Sequence, residues 1–406
     1  VLNKDKTSFK TTNDEPTPIS CVEDMLSIIP DEVWERNNLR ILDPCCGNGN
    51  FHLVIYSLLL CLGMEPEHIL QDVLFFNDTN KDRILNVNHV FSGDVYNLNL
   101  SQDNFLECSF VDKFDIIVAN PPYAKFLEDG KRASKNHNLI QAFLEKSLSL
   151  LKPNGYLVFI TPDNWMSYAD RNTVVAKITS LQLIHLNIHG AKKYFPKIGS
   201  SFTWYVVQNC PFYKDVVVEG LYKKETYITS IPSVSRRYIP LLYNNFVFYI
   251  LQKTIDNVSI PKFKVETSSD LHKYTKRNLI SERKDDIHKY RLIHTPNQTV
   301  YSSRPHKYQD GYKVFISTTD KYSVFVDDCG MTQSIAFIRC QDLEEATKFQ
   351  QILMHPLYVF INNICRWGNF NNVRILQRFP VPVDDNNIYK CFDVSQEEQD
   401  MIEKYQ

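Results

Sequence analysis

Asn120-Pro121-Pro122-Tyr123 directly follows the β-rich run Phe114 to Ala119, and its residue types suit chemistry on a poor nucleophile. Two prolines in a row remove two amide donors and stiffen the chain, leaving backbone carbonyls as acceptors. The Asn120 side-chain oxygen adds an acceptor, and Tyr123 adds a flat face. Such a set fits an exocyclic aromatic amine, whose lone pair is delocalised into its ring. Holding both N–H bonds draws the nitrogen toward tetrahedral geometry and localises the pair. What remains is alignment with an electrophile that is already activated, without a metal or a strong base. The bland alternative is a Pro-Pro turn that only closes a strand.

A second stretch, Asp43-Pro44-Cys45-Cys46-Gly47-Asn48-Gly49-Asn50-Phe51, lies between a first strand and a helical run. Gly47 and Gly49 allow close backbone approach to a ligand, and Asp43 offers an acceptor where an ammonium group could sit. No G-K-[ST] follows, so this is not a phosphate loop. Two further acids are expected just after strands. Asp78 follows Val73 to Phe76 and could accept two ribose hydroxyls. Asp94, in Phe91-Ser92-Gly93-Asp94-Val95, is expected to follow a third strand and to face an adenine amine. Each alone reads more readily as a cap or a solvated loop carboxylate, and only their regular placement after successive strands favours a site.

These residues need a sheet whose strand ends converge. From Leu39 to Gln208, short β-rich runs alternate with helical patterns, which predicts an α/β domain with a mainly parallel, twisted, Rossmann-like sheet. Predicted strands are Leu39–Leu42, Val73–Phe76, Phe114–Ala119, Tyr156–Ile160, Leu183–Ile188 and Phe202–Val207. Predicted helices run from Phe51 to Leu62 and from Leu139 to Leu151. Beyond Pro211 this rhythm fades until Leu343 to Asn363, so the boundary is placed near Cys210-Pro211, giving domains 1–211 and 212–406. The second is expected to be α+β.

Asp43 to Phe51 and Asn120 to Tyr123 resemble motifs I and IV of the N6-adenine DNA methyltransferases. The order, cofactor motif, then N-P-P-Y, then a long C-terminal region, is similar to the gamma arrangement of type II restriction–modification enzymes. Thr17-Pro18 before the run Ile19 to Ile29 resembles motif X, and Gly155 to Pro162 resembles motif VI. Lys193-Tyr194-Phe195-Pro196-Lys197 sits where that family carries motif VIII. The resemblance covers roughly Thr17 to Gln208. It implies S-adenosyl-L-methionine as cofactor, held by Thr17, Asp43, Pro44, Cys45, Gly47, Gly49, Phe51, Asp78, Asp94, Val95 and Asn120. It also implies catalysis by Asn120, Pro121, Pro122 and Tyr123, with Phe195 against a flipped base. Cys45-Cys46 departs from the usual small or varied pair of motif I, and Asn77-Asp78 leaves the ribose acid ambiguous by one position.

The resemblance further implies that residues 212–406 form a target-recognition domain reading double-stranded DNA. Net charge is only -2, so a DNA surface must come from segregated charge. Lys262 to Lys313 holds twelve Lys or Arg against six Asp or Glu, interleaved with tyrosines, a combination that suits phosphate contacts but equally a solvated face. Arg283, Lys284, Lys289 and Arg291 are its candidate contacts. Lys131, Arg132, Lys192, Lys193 and Lys197 are candidates in the first domain.

Composition is that of an ordinary globular protein, with 43% hydrophobic and 23% charged residues. Ten cysteines without any C-x-x-C predict free thiols in a reducing compartment and no metal site. The longest apolar run, Phe51 to Met64, is too short for a bilayer, and no signal peptide is seen, although the chain opens at Val1. A soluble cytoplasmic monomer is expected, whether or not a cognate endonuclease exists. His185 with His189, and Asp270 with Glu282-Arg283-Lys284, imitate metal and nuclease patterns, spacings that arise by chance. Two other functions stay open: methylation of an RNA base or a protein glutamine, and a DNA-specificity module without catalysis.

Overall fold

The computed structural model describes residues 15–123, 138–170, 173–196, 201–319 and 321–406. These form two compact units, the first reaching Arg237 and the second comprising Tyr238–Gln406 together with Met166–Ala169.

The first unit opens with helices α1 (Ile19–Leu26) and α2 (Asp31–Trp34). It then alternates β1 (Ile41–Asp43), α3 (Asn50–Cys61), α4 (Pro66–His68), β2 (Leu74–Asn77), α5 (Lys81–Val90), β3 (Asn99–Ser101), β4 (Phe114–Ala119) and α6 (Asn138–Leu150). There follow β5 (Leu151–Pro162), α7 (Val174–Ile178), β6 (Gln182–Ile188), β7 (Phe202–Gln208), β8 (Val216–Tyr222) and β9 (Glu225–Ile231). All nine strands join one sheet in the order β3-β2-β1-β4-β5-β7-β6-β8-β9. β3, β2, β1, β4 and β5 are parallel, and β7 enters antiparallel to both β5 and β6. Every residue of β4 is buried, as expected of a strand covered on both faces. His52 of α3 fixes that helix to β2 through a 2.8 Å hydrogen bond between Nε2 and the Phe75 carbonyl. Burial holds its imidazole neutral, with the pKa lowered to about 4.

Two expectations shift. The unit does not close at Pro211: β8 and β9 continue the sheet, β8 pairing with β6, so the chain leaves the unit only after Arg237. The expected third strand before Asp94 is α5, begun by Asn80, whose side chain accepts from the N–H groups of Asp82 and Arg83. The third strand lies further on, at Asn99–Ser101.

The second unit is α+β, as expected. It contains α8 (Asn245–Lys253), β10 (Glu266–Thr267), β11 (Ile280–Ser281), β12 (Tyr290–Thr295), β13 (Gln298–Ser302), β14 (Lys313–Ser317), β15 (Val324–Asp327), β16 (Gly330–Met331) and β17 (Ile335–Arg339). Helices α9 (Leu343–Leu353), α10 (Pro356–Ile364), α11 (Val373–Leu376), α12 (Ile388–Cys391) and α13 (Gln396–Lys404) complete it. Its strands make two four-stranded sheets, β10-β17-β14-β15 and β11-β13-β12-β16. Among the described residues no helix is long and apolar enough to cross a membrane.

Candidate active site

Strand order reverses beside β1: β2 and β3 lie to one side, β4 and β5 to the other. At such a switch point the loops leaving adjacent strands separate and open a crevice at the carboxyl edge. Asp43 is the last residue of β1, and Asn120 comes directly after β4. The two strongest sequence signals therefore meet at the one place where this topology makes a ligand site.

The turn after β1 is held by backbone. Cys46 N–H donates to the Asn77 carbonyl at 2.8 Å, and Gly49 N–H to the Cys46 carbonyl at 2.8 Å. Gly47 has φ +56° and Gly49 φ +86°. At Gly49 a Cβ would also stand 2.9 Å from Cε2 of Phe91, so glycine is required twice over there. The turn borders a small cavity of about 60 Å3, open to solvent and lined by Glu15, Thr17, Asp43, Cys45, Cys46 and Gly47 among others. Asn48, Asn50, Phe51, Arg83 and Asn120 also line it.

Asp43 is 1% exposed and accepts from Cys45 N–H at 3.1 Å. Burial, with the Asp78 carboxylate nearby, pushes its pKa well above the usual carboxylate range. The Cys45 and Cys46 thiols are pushed up for the same reasons, desolvation first and then the two carboxylates.

Asn120 has its amide fixed. Nδ2 donates to the Glu15 carbonyl at 3.1 Å and to Oγ1 of Thr17 at 3.2 Å, while Oδ1 accepts from the Tyr123 hydroxyl. Thr17 is buried, and its own carbonyl accepts from Nδ2 of Asn50 at 2.7 Å. Tyr123, Phe202 and Phe195 form a continuous aromatic cluster, with ring centroids 5.9 Å apart for the first pair and 4.9 Å for the second. Phe202 thus contacts the rings of both Tyr123 and Phe195. Trp204, two residues further along β7, stacks instead on His185, with ring centroids 4.4 Å apart.

Other expected residues land elsewhere. Asp78 stands after β2 as expected, but its carboxylate accepts from the N–H groups of Gly47 (2.9 Å) and Asn80 (2.8 Å), with Arg83 at 3.7 Å. Its visible work is to tie the glycine turn to α5. Asp94 and Val95 are exposed on the turn after α5, not after a strand, so they are not part of this edge. The acid following β3 is Asp103, whose N–H and carbonyl are both held by Asn77. Arg83, Asn50 and Asp103 were missed. Asn50 and Arg83 had a signal in their place on the first turns of α3 and α5, whereas Asp103 became visible only once β3 was located.

Among the basic candidates, Lys131, Arg132 and Lys197 lie outside the described residues. Lys193 binds Asp24 at 3.2 Å, and Lys192 lies in the same short turn, Gly190–Lys193. In the second unit Arg291 is held by Asp327, with Asp328 at 3.8 Å. Lys313 is buried against the carbonyls of Asp310, Gly311 and Asp328. Arg283, Lys284 and Lys289 are exposed, between β11 and β12. The nuclease-like pattern dissolves: Asp270 binds Arg304 at 2.8 Å, which holds its carboxyl down at about 2, and Glu282 binds Lys273 at 3.2 Å. His189 pairs with Asp163 at 2.8 Å.

Residues 54–194 match the Eco57I restriction-modification methylase family. The matched segment is thus similar to an Eco57I-type methylase domain and takes in about a third of the chain. Its curated relatives include the type II methyltransferase M.VspI of Vibrio sp., 24% identical over 184 residues that cover 42% of each protein. The type II methyltransferase M.PaeR7I of Pseudomonas aeruginosa is 27% identical over 157 residues, 31% of this chain and 27% of that one. The match thus spans less than half the length of either relative. Among solved structures, the DrdV–DNA complex is similar in fold at 11% identity, covering 96% of this chain and 57% of that one with a TM-score of 0.57. A nuclease-deletion mutant of the Type ISP enzyme LlaGI, in complex with a DNA substrate mimic, gives 0.54 at 10% identity, covering 96% and 47%. The methylase domain match begins inside α3, so the β1 turn with Asp43 precedes it and Asn120 to Tyr123 fall within it.

Proposed function

We propose that the protein is a restriction–modification methyltransferase that moves a methyl group from S-adenosyl-L-methionine to N6 of adenine in DNA. The observation that carries this reading is the meeting of Asp43 and Asn120 at the switch point, around one cavity. The lining suits the cofactor. It offers a buried carboxylate at Asp43, a guanidinium at Arg83, backbone at Gly47 and an apolar ring at Phe51, a set matched to a ligand that carries both an ammonium and a carboxylate. We assign the purine end to Asp103 at the end of β3. When bound, the cofactor supplies a methyl group already activated as a sulfonium.

The protein's own part is to hold the amine. Oδ1 of Asn120 and the backbone beside Pro121 and Pro122 are acceptors fixed before the substrate arrives, which is where preorganised groups do most for a rate. A paired adenine cannot present N6 to this crevice, so the base must leave the duplex. The second unit, with Arg283, Lys284 and Lys289 exposed, serves as the DNA-reading partner.

Tritium transfer from labelled cofactor to DNA, to RNA and to a protein glutamine substrate tests this directly. Label should enter DNA and be recovered as N6-methyladenine. Asn120→Ala should lose at least about 100-fold in turnover and keep its cofactor affinity. Label in RNA or protein but not in DNA would overturn the reading, as would an Asn120→Ala protein with more than a tenth of wild-type turnover.

A further inference from the structure

An asparagine side chain has one acceptor end and one donor end, and only the acceptor end can hold an amine. The catalytic geometry therefore depends on which way the Asn120 amide points and on how firmly its plane is set. Asn120 projects from the loop after β4, and a lone amide there could rotate.

Both Nδ2 hydrogens have partners, the Glu15 carbonyl at 3.1 Å and Oγ1 of Thr17 at 3.2 Å. The Glu15 carbonyl accepts only, so it sets the sense of the amide: a reversed amide would bring two oxygens together. The second partner removes the remaining rotation about the side chain. Thr17 can do this because it is itself immobile. It is 3% exposed, and its carbonyl is held by Nδ2 of Asn50 at 2.7 Å at the start of α3.

We infer that Thr17 is a positioning residue for methyl transfer, fixing the plane of the Asn120 amide so that Oδ1 meets the incoming amine. The role rests on the methyl-transfer reading above. It is separate from a cofactor contact, although Thr17 also lines the cavity. The segment before α1 thereby links two parts of the site that lie far apart in sequence, the start of α3 and the N-P-P-Y loop.

Thr17→Val keeps shape and removes the acceptor, and Thr17→Ser restores it. With DNA as substrate, Thr17→Val should lower kcat by about three- to tenfold, the range one neutral hydrogen bond supports. The dissociation constant for S-adenosyl-L-methionine, measured by calorimetry, should stay within about twofold, and Thr17→Ser should recover most of the rate. A readout without catalysis uses protein labelled with 15N-asparagine, the Asn120 side-chain signals being assigned by their loss in Asn120→Asp. Those signals should move and exchange faster with solvent in Thr17→Val, and return in Thr17→Ser.

An unchanged kcat in Thr17→Val would overturn the inference, as would unmoved amide signals. So would a loss carried wholly by cofactor affinity, which would make Thr17 a cofactor ligand only. A wild-type protein that transfers no label to DNA would instead refute the methyl-transfer reading, while the amide signals still decide whether Thr17 sets Asn120.

Discussion

Asn77 and Asp103 exchange two hydrogen bonds: Nδ2 of Asn77 donates to the Asp103 carbonyl at 3.1 Å, and Asp103 N–H donates back to Oδ1 at 3.1 Å. The same amide donates to the Pro44 carbonyl at 2.9 Å and accepts from the Ser101 hydroxyl at 2.8 Å. One buried side chain thus ties together the carboxyl ends of β1, β2 and β3, the edge on which the site is built.

Asn77→Ala should be destabilising out of proportion to its size. A buried polar group left unpaired costs about 1–3 kcal/mol, and several would be left here, so a loss of at least about 2 kcal/mol in urea unfolding is expected. A loss below about 0.5 kcal/mol, which is typical of unimportant surface changes, would show that the edge is held by other means.

Asp43→Asn should trade stability for binding. The Asp43 pKa is raised by burial, so between the ordinary value of 3.8 and its raised native value the folded state binds more protons than the unfolded one. Its contribution is fully present below 3.8 and is lost as pH rises through the native pKa. Asn cannot ionise, so the variant should melt higher than wild type near neutral pH, with the difference shrinking toward pH 4. Cofactor affinity should fall, since a charge-assisted hydrogen bond is worth about 1.5–3 kcal/mol. Equal melting temperatures across that range would mean the carboxylate is not strained by its burial.

Phe202 should matter more than Phe195 for holding an extrahelical base. Phe202 touches the Tyr123 ring directly, while Phe195 packs on Phe202. A duplex with 2-aminopurine at the target adenine should brighten on binding wild type. Phe202→Ala and Tyr123→Ala should give a weaker rise, in line with about 1–3 kcal/mol of stacking per base, and Phe195→Ala a smaller change. The reverse order would return the stacking role to Phe195.

Replacing Arg283, Lys284 and Lys289 together with Gln should flatten the salt dependence of DNA binding by about 0.9 units of log-log slope for each phosphate no longer neutralised. Arg291→Gln should leave the slope alone, because Asp327 and Asp328 already hold that guanidinium. A slope changed only by Arg291→Gln would place DNA recognition on a different part of the unit.

What the sequence made legible was the part set by local pattern. β4 was bounded to the residue because Phe114 to Ala119 is continuously apolar but for Asp115, and the Pro pair stops it. The glycine turn was legible because Gly47 and Gly49 adopt a backbone that other residues avoid. Asp94 does not follow a strand because α5, whose apolar residues Ile84, Leu85, Val87 and Val90 lie close together, occupies the place where the third strand is expected. The basic stretch read as more cationic than it is, since Arg291, Arg304 and Lys313 are occupied by partners distant in sequence. β8 and β9 joined the first unit through pairing with β6, a non-local contact that no window of sequence contains.

The paired cysteines in the β1 turn bear on how the protein would survive its own reagent. A methyl sulfonium is an alkylating agent, and a thiolate beside it would be methylated in place of any substrate. It is the thiolate, not the thiol, that attacks. Burial and the neighbouring Asp43 and Asp78 carboxylates hold the Cys45 and Cys46 protons in place. The same negative surroundings that would welcome a cationic ligand therefore also disarm the two cysteines that line its cavity.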